Sequence, residues 1–147
     1  MSAPRRTVWI TGASSGIGKA VAHACHLRGD RLVLSARAPG ALHTLCAEWN
    51  ATDALVAPFD LAQTDNVGAL ADRIWQESGG VDVVVHSGGI SQRSLLIQTA
   101  PGVDRQMMEV NYFGTLALTR ALLPHMIAAG GGHFAVVTSL MGLFSAP

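Results

Sequence analysis

The sequence predicts an α/β fold, with a doubly wound parallel sheet covered by helices on both faces. Two observations support this prediction. Short apolar runs alternate with longer segments of helical periodicity along the whole chain, as expected for right-handed βαβ units. The short runs are almost continuously apolar, which is typical of strands that are buried on both faces. With 147 residues, the chain is expected to form a single domain, residues 1–147.

Five runs are predicted to be strands because they are short and rich in valine, leucine and isoleucine. They cover residues 8–11, 32–35, 55–59, 81–85 and 134–138. Apolar residues at helical spacing mark the first three connecting helices. These residues are Ile17, Val21, Ala24 and Leu27 in the first helix, Leu42 and Leu45 in the second, and Val67, Leu70, Ile74 and Trp75 in the third.

The fourth connecting segment is the longest and is predicted to be helical from Val103 to Ile127. It stops at three consecutive glycines, residues 130–132, a common way to end a helix. Apolar residues cover more than one stripe of this segment, so Leu118, Leu122, Met126 and Ile127 are expected to leave an exposed apolar patch.

Composition excludes several classes of function. Ten basic and ten acidic residues give a formal net charge of zero, so neither nucleic acid nor an anionic membrane is an expected partner. No apolar run reaches the roughly 18 residues of a membrane span. Cys25 and Cys46 stand alone, which predicts neither a disulfide framework nor a metal site. A reducing, cytoplasmic location is expected.

A glycine-rich loop, Thr11-Gly-Ala-Ser-Ser-Gly-Ile-Gly18, joins the first strand directly to the first helix. Glycines at such a turn let a pyrophosphate approach the backbone without meeting a Cβ atom. The N–H groups and positive dipole of the helix that follows then favour the phosphates. The alternative is an ordinary glycine-rich turn, which the strand before and the helix after it disfavour. The predicted phosphate-binding residues are Gly12, Ser14, Ser15, Gly16, Ile17 and Gly18.

The Gly-x3-Gly-x-Gly spacing resembles that of the classical short-chain dehydrogenase/reductase family, whose members open with Thr-Gly-x3-Gly-x-Gly. The resemblance implies a Rossmann-like domain, of whose seven strands this chain would supply about five, and a nicotinamide dinucleotide cofactor. The loop has no Gly-Lys-Ser/Thr, which excludes a P-loop nucleotide hydrolase.

The end of the second predicted strand bears on which dinucleotide is preferred. An acidic residue is expected there when the ribose 2′-hydroxyl is bound, but the chain has Ser35-Ala36-Arg37. A guanidinium is a natural partner of a phosphate, so NADP(H) is predicted to be preferred over NAD(H). The alternative is a solvated arginine in a loop.

The resemblance implies further cofactor contacts at the ends of the third and fourth strands. Asp60 and Leu61 match an Asp-Leu pair that holds the adenine in the family, although Asp60 also suits an ordinary turn. The family's Asn-Asn-Ala-Gly is replaced by His86-Ser87-Gly88-Gly89. Gly88 keeps the close approach to the cofactor ribose, and His86 is interpreted as replacing an amide that bonds to the sheet.

The resemblance also implies two catalytic residues. Asn111 belongs to an Asn-x2-Gly segment that supports a proton relay through water, and Ser139 follows the fifth strand, where the family has its catalytic serine. The family's Tyr-x3-Lys is not found in these 147 residues. The chain has one tyrosine, Tyr112, and one lysine, Lys19, and Tyr112 is expected to pack within its helix.

The implied activity is hydride transfer between NADP(H) and a small-molecule ketone or secondary alcohol, with the full-length form a homo-oligomer. In that reaction Ser139 would polarise the carbonyl group and Asn111 would hold the relay water. The competing interpretation is a dinucleotide-binding module without catalysis, or an inactive fragment. By either interpretation, the 147 residues alone are expected to lack reductase activity.

Overall fold

A single parallel sheet of five strands forms the centre of the protein in the computed structural model, which describes residues 5–140. In chain order the strands are β1 (Thr7–Thr11), β2 (Arg31–Ser35), β3 (Leu55–Val56), β4 (Val83–His86) and β5 (His133–Val136). Their spatial order is β3-β2-β1-β4-β5, and every pairing is parallel. The order reverses between β1 and β4, which confirms the predicted doubly wound sheet.

Five α-helices connect the strands. They are α1 (Gly16–Leu27), α2 (Pro39–Glu48), α3 (Val67–Ser78), α4 (Pro101–Met108) and α5 (Thr115–Ala128). A 3₁₀ turn covers Leu96–Gln98, and a π-helical segment covers Glu109–Gly114, between α4 and α5.

The helices pack on both faces of the sheet because side chains alternate along each strand. On one face, Trp9 of β1 packs in a buried cluster with residues of α3 and α5, including Ile74 and Leu118. On the other face, Ile10 packs with residues of α1 and α2, including Leu42. The sheet is therefore buried on both sides, as the apolar strands predict.

The structure differs from the predicted elements at several places. The third strand has two residues instead of five, although Ala57 and Phe59 continue to donate backbone hydrogen bonds to the β2 strand and its exit. The fourth predicted helix is interrupted by the π-helical segment. The expected apolar patch is wrong for Leu118, Leu122 and Met126, which are buried between helix and sheet, and right for Ile127, which is 68% exposed.

Strand β5 lies at one edge of the sheet within the described residues. It is largely exposed, and Val136 and Val137 present apolar side chains to the surface. An unpaired apolar edge of this kind favours association with another strand. No helix between residues 5 and 140 has the length and hydropathy needed to cross a membrane.

Candidate functional site

A cleft of about 340 Å³ opens at the carboxyl edge of the sheet, where β1, β2 and β4 end. Ligands of open α/β sheets bind at this edge, next to the point where the strand order reverses. The fold brings all ten predicted cofactor-binding residues to the wall of the cleft: Gly12, Ser14, Ser15, Gly16, Ile17, Gly18, Arg37, Asp60, Leu61 and Gly88.

The glycine loop is shaped by close contacts between backbone segments. A Cβ atom on Gly12 would lie 2.7 Å from the Cα atom of Gly88, and Gly12 has a φ of +66°. A Cβ atom on Gly18 would lie 2.3 Å from the carbonyl oxygen of Gly12. Gly16 also has positive φ, at +53°, but the space beside it is open. Gly12 and Gly18 therefore let β1, β4 and α1 meet, while Gly16 leaves room beside the loop.

The first turn of α1 offers donors to an anion. Ser15 is the N-cap residue in an extended conformation, and its side chain makes no capping hydrogen bond. The first N–H groups of a helix have no partner within the helix, and here the Ser15 side chain does not accept from them. Together with the positive end of the helix dipole, this arrangement fits a dinucleotide pyrophosphate.

Arg37 lies two residues after β2, on an exposed part of the cleft wall. Within residues 5–140, no carboxylate forms an ion pair with it. The guanidinium group is thus available to an anionic ligand at this end of the cleft.

Asp60 and Leu61 form the wall that faces the glycine loop. The Asp60 carboxylate accepts a hydrogen bond from the backbone N–H of Ala62 at 3.0 Å, so this residue does stabilise a turn. Leu61 packs against two glycines. A Cβ atom on Gly88 would lie 2.7 Å from Leu61 Cδ1, and one on Gly114 would lie 2.3 Å from the Leu61 carbonyl oxygen.

Ser87 ties the end of β4 to the end of β1. Its hydroxyl donates to the Thr11 carbonyl at 2.6 Å, and the N–H groups of Ser87 and Gly88 both donate to Thr11 Oγ1 at 3.2 Å. The serine hydroxyl therefore supplies a cross-strand bond even though the amide of the family pattern is missing.

His86 is buried and neutral. Its Nε2 atom lies 3.0 Å from Thr119 Oγ1, and the Thr119 hydroxyl donates its proton to the Thr115 carbonyl at 2.8 Å. The hydrogen bond to Thr119 thus pairs Nε2 of the ring, and the Nδ1 atom has no partner among the described residues. Burial lowers the pKa of His86 to about 4. The ring bonds to Thr119 of α5, so the interpretation that it bonds to the sheet is wrong.

Asn111 lies in the π-helical segment and holds the loop after β4. Its Oδ1 atom accepts from the Ile90 N–H at 2.8 Å, and its Nδ2 atom donates to the Ile90 carbonyl at 2.9 Å. Ile90 lines the cleft, whereas Asn111 is exposed and is not one of the residues of the cleft wall. Interruptions of this kind in α-helices are frequent at functional sites.

The other residues considered for catalysis lie apart. Ser139 follows β5, is exposed and does not line the cleft. Tyr112 is 53% exposed and packs edge-to-face against Phe113 of the same π-helical segment. Lys19 lies on α1.

Several residues of the cleft wall were not singled out from the sequence. They are Thr11, Ser35, Ala36, Phe59, Ala62, Ser87, Gly89, Ile90, Gln106 and Val110. Most of them lie at or just after the end of a strand, or next to a predicted residue. Their position at the strand ends is the feature of the sequence that could have indicated them. Gln106 and Val110 come from α4 and the π-helical segment, whose approach to the cleft depends on tertiary packing.

Comparison with known proteins identifies relatives of the chain. The short chain dehydrogenase family profile matches residues 6–147. Dehydrogenase/reductase SDR family member 7 of Homo sapiens is 42% identical over 146 residues, which cover 95% of this chain and 43% of that protein. Dehydrogenase/reductase SDR family protein 7-like of Drosophila melanogaster is 39% identical, over 98% of this chain and 46% of that protein. The chain thus spans less than half the length of these relatives.

Solved structures show the same fold. A short-chain dehydrogenase from Streptomyces avermitilis has a TM-score of 0.90 at 33% identity, over 99% of this chain and 53% of that one. A gluconate 5-dehydrogenase from Burkholderia cenocepacia, in complex with NADP and tartrate, has a TM-score of 0.89 at 29% identity, over 97% of this chain and 56% of that one.

Proposed function

Because the chain belongs to the short chain dehydrogenase family, we propose that it forms the cofactor-binding part of an NADP(H)-dependent oxidoreductase. The reaction would move a hydride between the cofactor and a small-molecule ketone or secondary alcohol. The observation that supports this proposal most directly is the cleft itself. Its wall contains the N-terminus of α1, which the Ser15 side chain does not cap. It also contains the glycines that let β1, β4 and α1 meet.

The preference for NADP(H) over NAD(H) rests on Arg37. An exposed guanidinium group without a carboxylate partner among residues 5–140 stands at the end of β2, where a carboxylate would repel a 2′-phosphate. Asp60 and Leu61 would flank the adenine on the opposite wall, and Gly88 would approach the ribose. The cofactor, when bound, supplies or accepts the hydride.

Two residues would take part in the chemistry. Ser139, beyond the end of β5, would polarise the substrate carbonyl. Asn111 would support the proton relay, and its two hydrogen bonds to Ile90 also hold the loop beside the cleft. A cytoplasmic location and a homo-oligomeric full-length protein complete the proposal.

The Arg37→Ala variant tests the cofactor preference. A charge-assisted hydrogen bond contributes about 1.5–3 kcal/mol, so we expect NADPH affinity to fall about tenfold or more, with NADH affinity almost unchanged. Isothermal titration of both cofactors measures the two dissociation constants. Arg73→Ala is the matched control because Arg73 is also an exposed arginine but pairs with Glu77 on α3, outside the cleft. Equal affinities of the wild type for NADPH and NADH would contradict the preference.

A non-catalytic dinucleotide-binding module is the second candidate, and the positions of Tyr112 and Lys19 favour it for these 147 residues. Tyr112 lies in the π-helical segment and Lys19 on α1, so they do not form the family's Tyr-x3-Lys.

We therefore expect residues 1–147 to bind NADPH but to oxidise none of it with a panel of ketones. We also expect the chain to associate, because β5 exposes an apolar edge. Absorbance at the NADPH band and sedimentation velocity measure the two properties. A monodisperse monomer that turns over a ketone would contradict both expectations.

A further inference from the structure

A buried hydrogen-bonded relay runs from β1 through the end of β2 to the residue that follows β3. The indole Nε1 of Trp9, on β1, donates to Ser35 Oγ at 2.8 Å. The Ser35 hydroxyl, at the end of β2, donates in turn to the Ala57 carbonyl at 2.6 Å, just after β3. Trp9 and Ser35 are 0% and 1% exposed. Trp9 Nε1 and Ser35 Oγ are therefore both paired. The direction of each bond is fixed because an indole N–H can only donate and a backbone carbonyl can only accept.

Ser35 also joins the glycine loop to this relay through its backbone. The Ala13 N–H donates to the Ser35 carbonyl at 3.1 Å. One residue thus contacts β1, the start of the glycine loop and the segment that leaves β3. Ser35 and its neighbours Ala36 and Arg37 line the cleft, whereas the Ser35 hydroxyl is already bonded on both sides within the core.

The segment from Ala57 to Leu61 is held by the burial of Ala57, Phe59 and Leu61 in the core and by hydrogen bonds to β2 and its exit. Strand β3 contributes only two residues to the sheet. Beyond it, the Ala57 N–H donates to the Leu34 carbonyl at 2.9 Å and the Phe59 N–H to the Ala36 carbonyl at 3.2 Å. At the far end, Leu61 is held by its close packing against Gly88 and Gly114. The segment is therefore held at both ends. At the Ala57 end, the Ser35 hydroxyl supplies a side-chain hydrogen bond.

We infer that Ser35 is a positioning residue that sets the wall of the cleft formed by residues 57–61, with Trp9 orienting the Ser35 hydroxyl toward Ala57. The inference rests on the proposed function, in which this wall flanks the adenosine half of NADP(H). Ser35 acts there without donating its hydroxyl to the ligand. Loss of the hydroxyl removes the side-chain bond to residue 57 and displaces the Phe59–Asp60–Leu61 wall relative to Arg37.

The test compares Ser35→Ala, Trp9→Phe and the double variant with a matched control. Ser78→Ala is that control because Ser78 is also a buried serine that donates to backbone carbonyls, those of Ile74 and Gly80. Its own carbonyl accepts from Arg31 at the start of β2, at the opposite edge of the sheet from Ser35. The readouts are titration with NADPH and with adenosine 2′,5′-bisphosphate, thermal unfolding, and amide hydrogen exchange of residues 57–61.

In Ser35→Ala we expect the affinity for both ligands to fall by the same factor, about tenfold, and exchange at residues 57–61 to become faster. Ser78→Ala should lower Tm but leave both affinities within about twofold of the wild type. The double variant leaves no indole N–H unpaired in the core but loses part of the buried indole volume, so its Tm should stay below that of the wild type. Its affinities should stay low, because the bond to Ala57 is still missing.

A double variant that regains affinity would overturn the inference, as would an equal loss of affinity in Ser78→Ala. If the wild type binds neither ligand, the proposed function fails, and the exchange data alone decide on the positioning role. Faster exchange at residues 57–61 in Ser35→Ala but not in Ser78→Ala would then support the role, and unchanged exchange would overturn it.

Discussion

Replacing Gly18 with alanine is expected to abolish NADPH binding, with at least a 100-fold loss of affinity on the order-of-magnitude scale of about 1.4 kcal/mol per tenfold. The added Cβ atom would lie 2.3 Å from the Gly12 carbonyl oxygen and 2.7 Å from the Gly12 carbonyl carbon. Both are backbone atoms, so neither can move aside cheaply. The N-terminus of α1 would have to shift away from the glycine loop, and the donors that face a pyrophosphate would shift with it.

Gly40→Ala is the matched control for this prediction. Gly40 lies in the first turn of α2, and a Cβ atom there would meet nothing within 4 Å. Alanine is favoured over glycine in a helix by about 1 kcal/mol, so this variant should keep its affinity and be at least as stable. Titration with NADPH and far-ultraviolet circular dichroism measure binding and folding. Wild-type affinity in a folded Gly18→Ala protein would show that the loop is only a turn.

The buried His86 is expected to make the protein sensitive to acid between about pH 6.5 and pH 4. Burial lowers the pKa of this residue to about 4 in the folded protein, whereas an exposed histidine has a pKa of about 6.5. The contribution of the neutral His86 to the stability of the folded protein is therefore complete above pH 6.5. It is lost as the pH falls toward 4, because the histidine of the unfolded chain takes up a proton at a higher pH than the buried one. At about 1.4 kcal/mol per pH unit, the free energy of unfolding should decrease by about 2–3 kcal/mol by pH 4.5 from this group alone.

The comparison that isolates this effect uses two variants and urea unfolding at pH 7.5 and 4.5. His86→Asn removes the titrating ring. The difference in the free energy of unfolding between the two pH values should therefore shrink by about 2–3 kcal/mol. Thr119→Val removes the hydroxyl that hydrogen-bonds to His86 Nε2 but leaves the ring in the core. It should lower stability at both pH values and retain the acid sensitivity. If acidification lowers the free energy of unfolding of the wild type and of His86→Asn by the same amount, the conclusion that His86 is buried as a neutral ring is wrong.

The cleft shows why some site residues could be predicted from the sequence and others could not. The glycine loop has a fixed spacing and stands between a strand and a helix that are visible as periodic patterns, so its role follows from residues close together in the chain. Arg37 was found in the same way, by its position after β2. Ser35 reads in the sequence as the last residue of a strand, and nothing nearby indicates that its hydroxyl links Trp9 to Ala57.

The π-helical segment is a similar case. Its sequence, Glu109 to Gly114, continues a helical pattern, and the pattern carries no signal for the interruption. The contacts that accompany the interruption are distant in the chain. Asn111 bonds to the backbone of Ile90, and Gly114 admits the Leu61 carbonyl. The same distance in sequence explains why the hydrogen bond between His86 and Thr119 of α5 was not predicted.

The doubly wound sheet, the order of its elements along the chain, the glycine loop and an arginine where an acid is often found were all predictable without the structure. These properties depend on periodicity and on spacing between neighbouring residues, which are written along the chain. The fold was needed to show that β3 is short, that Ser35 links Trp9 of β1 to Ala57, that Leu61 packs against Gly88 and Gly114, and that burial lowers the pKa of His86. Each of these depends on burial and contact between segments far apart in sequence, and the packing of the sheet and helices brings them together.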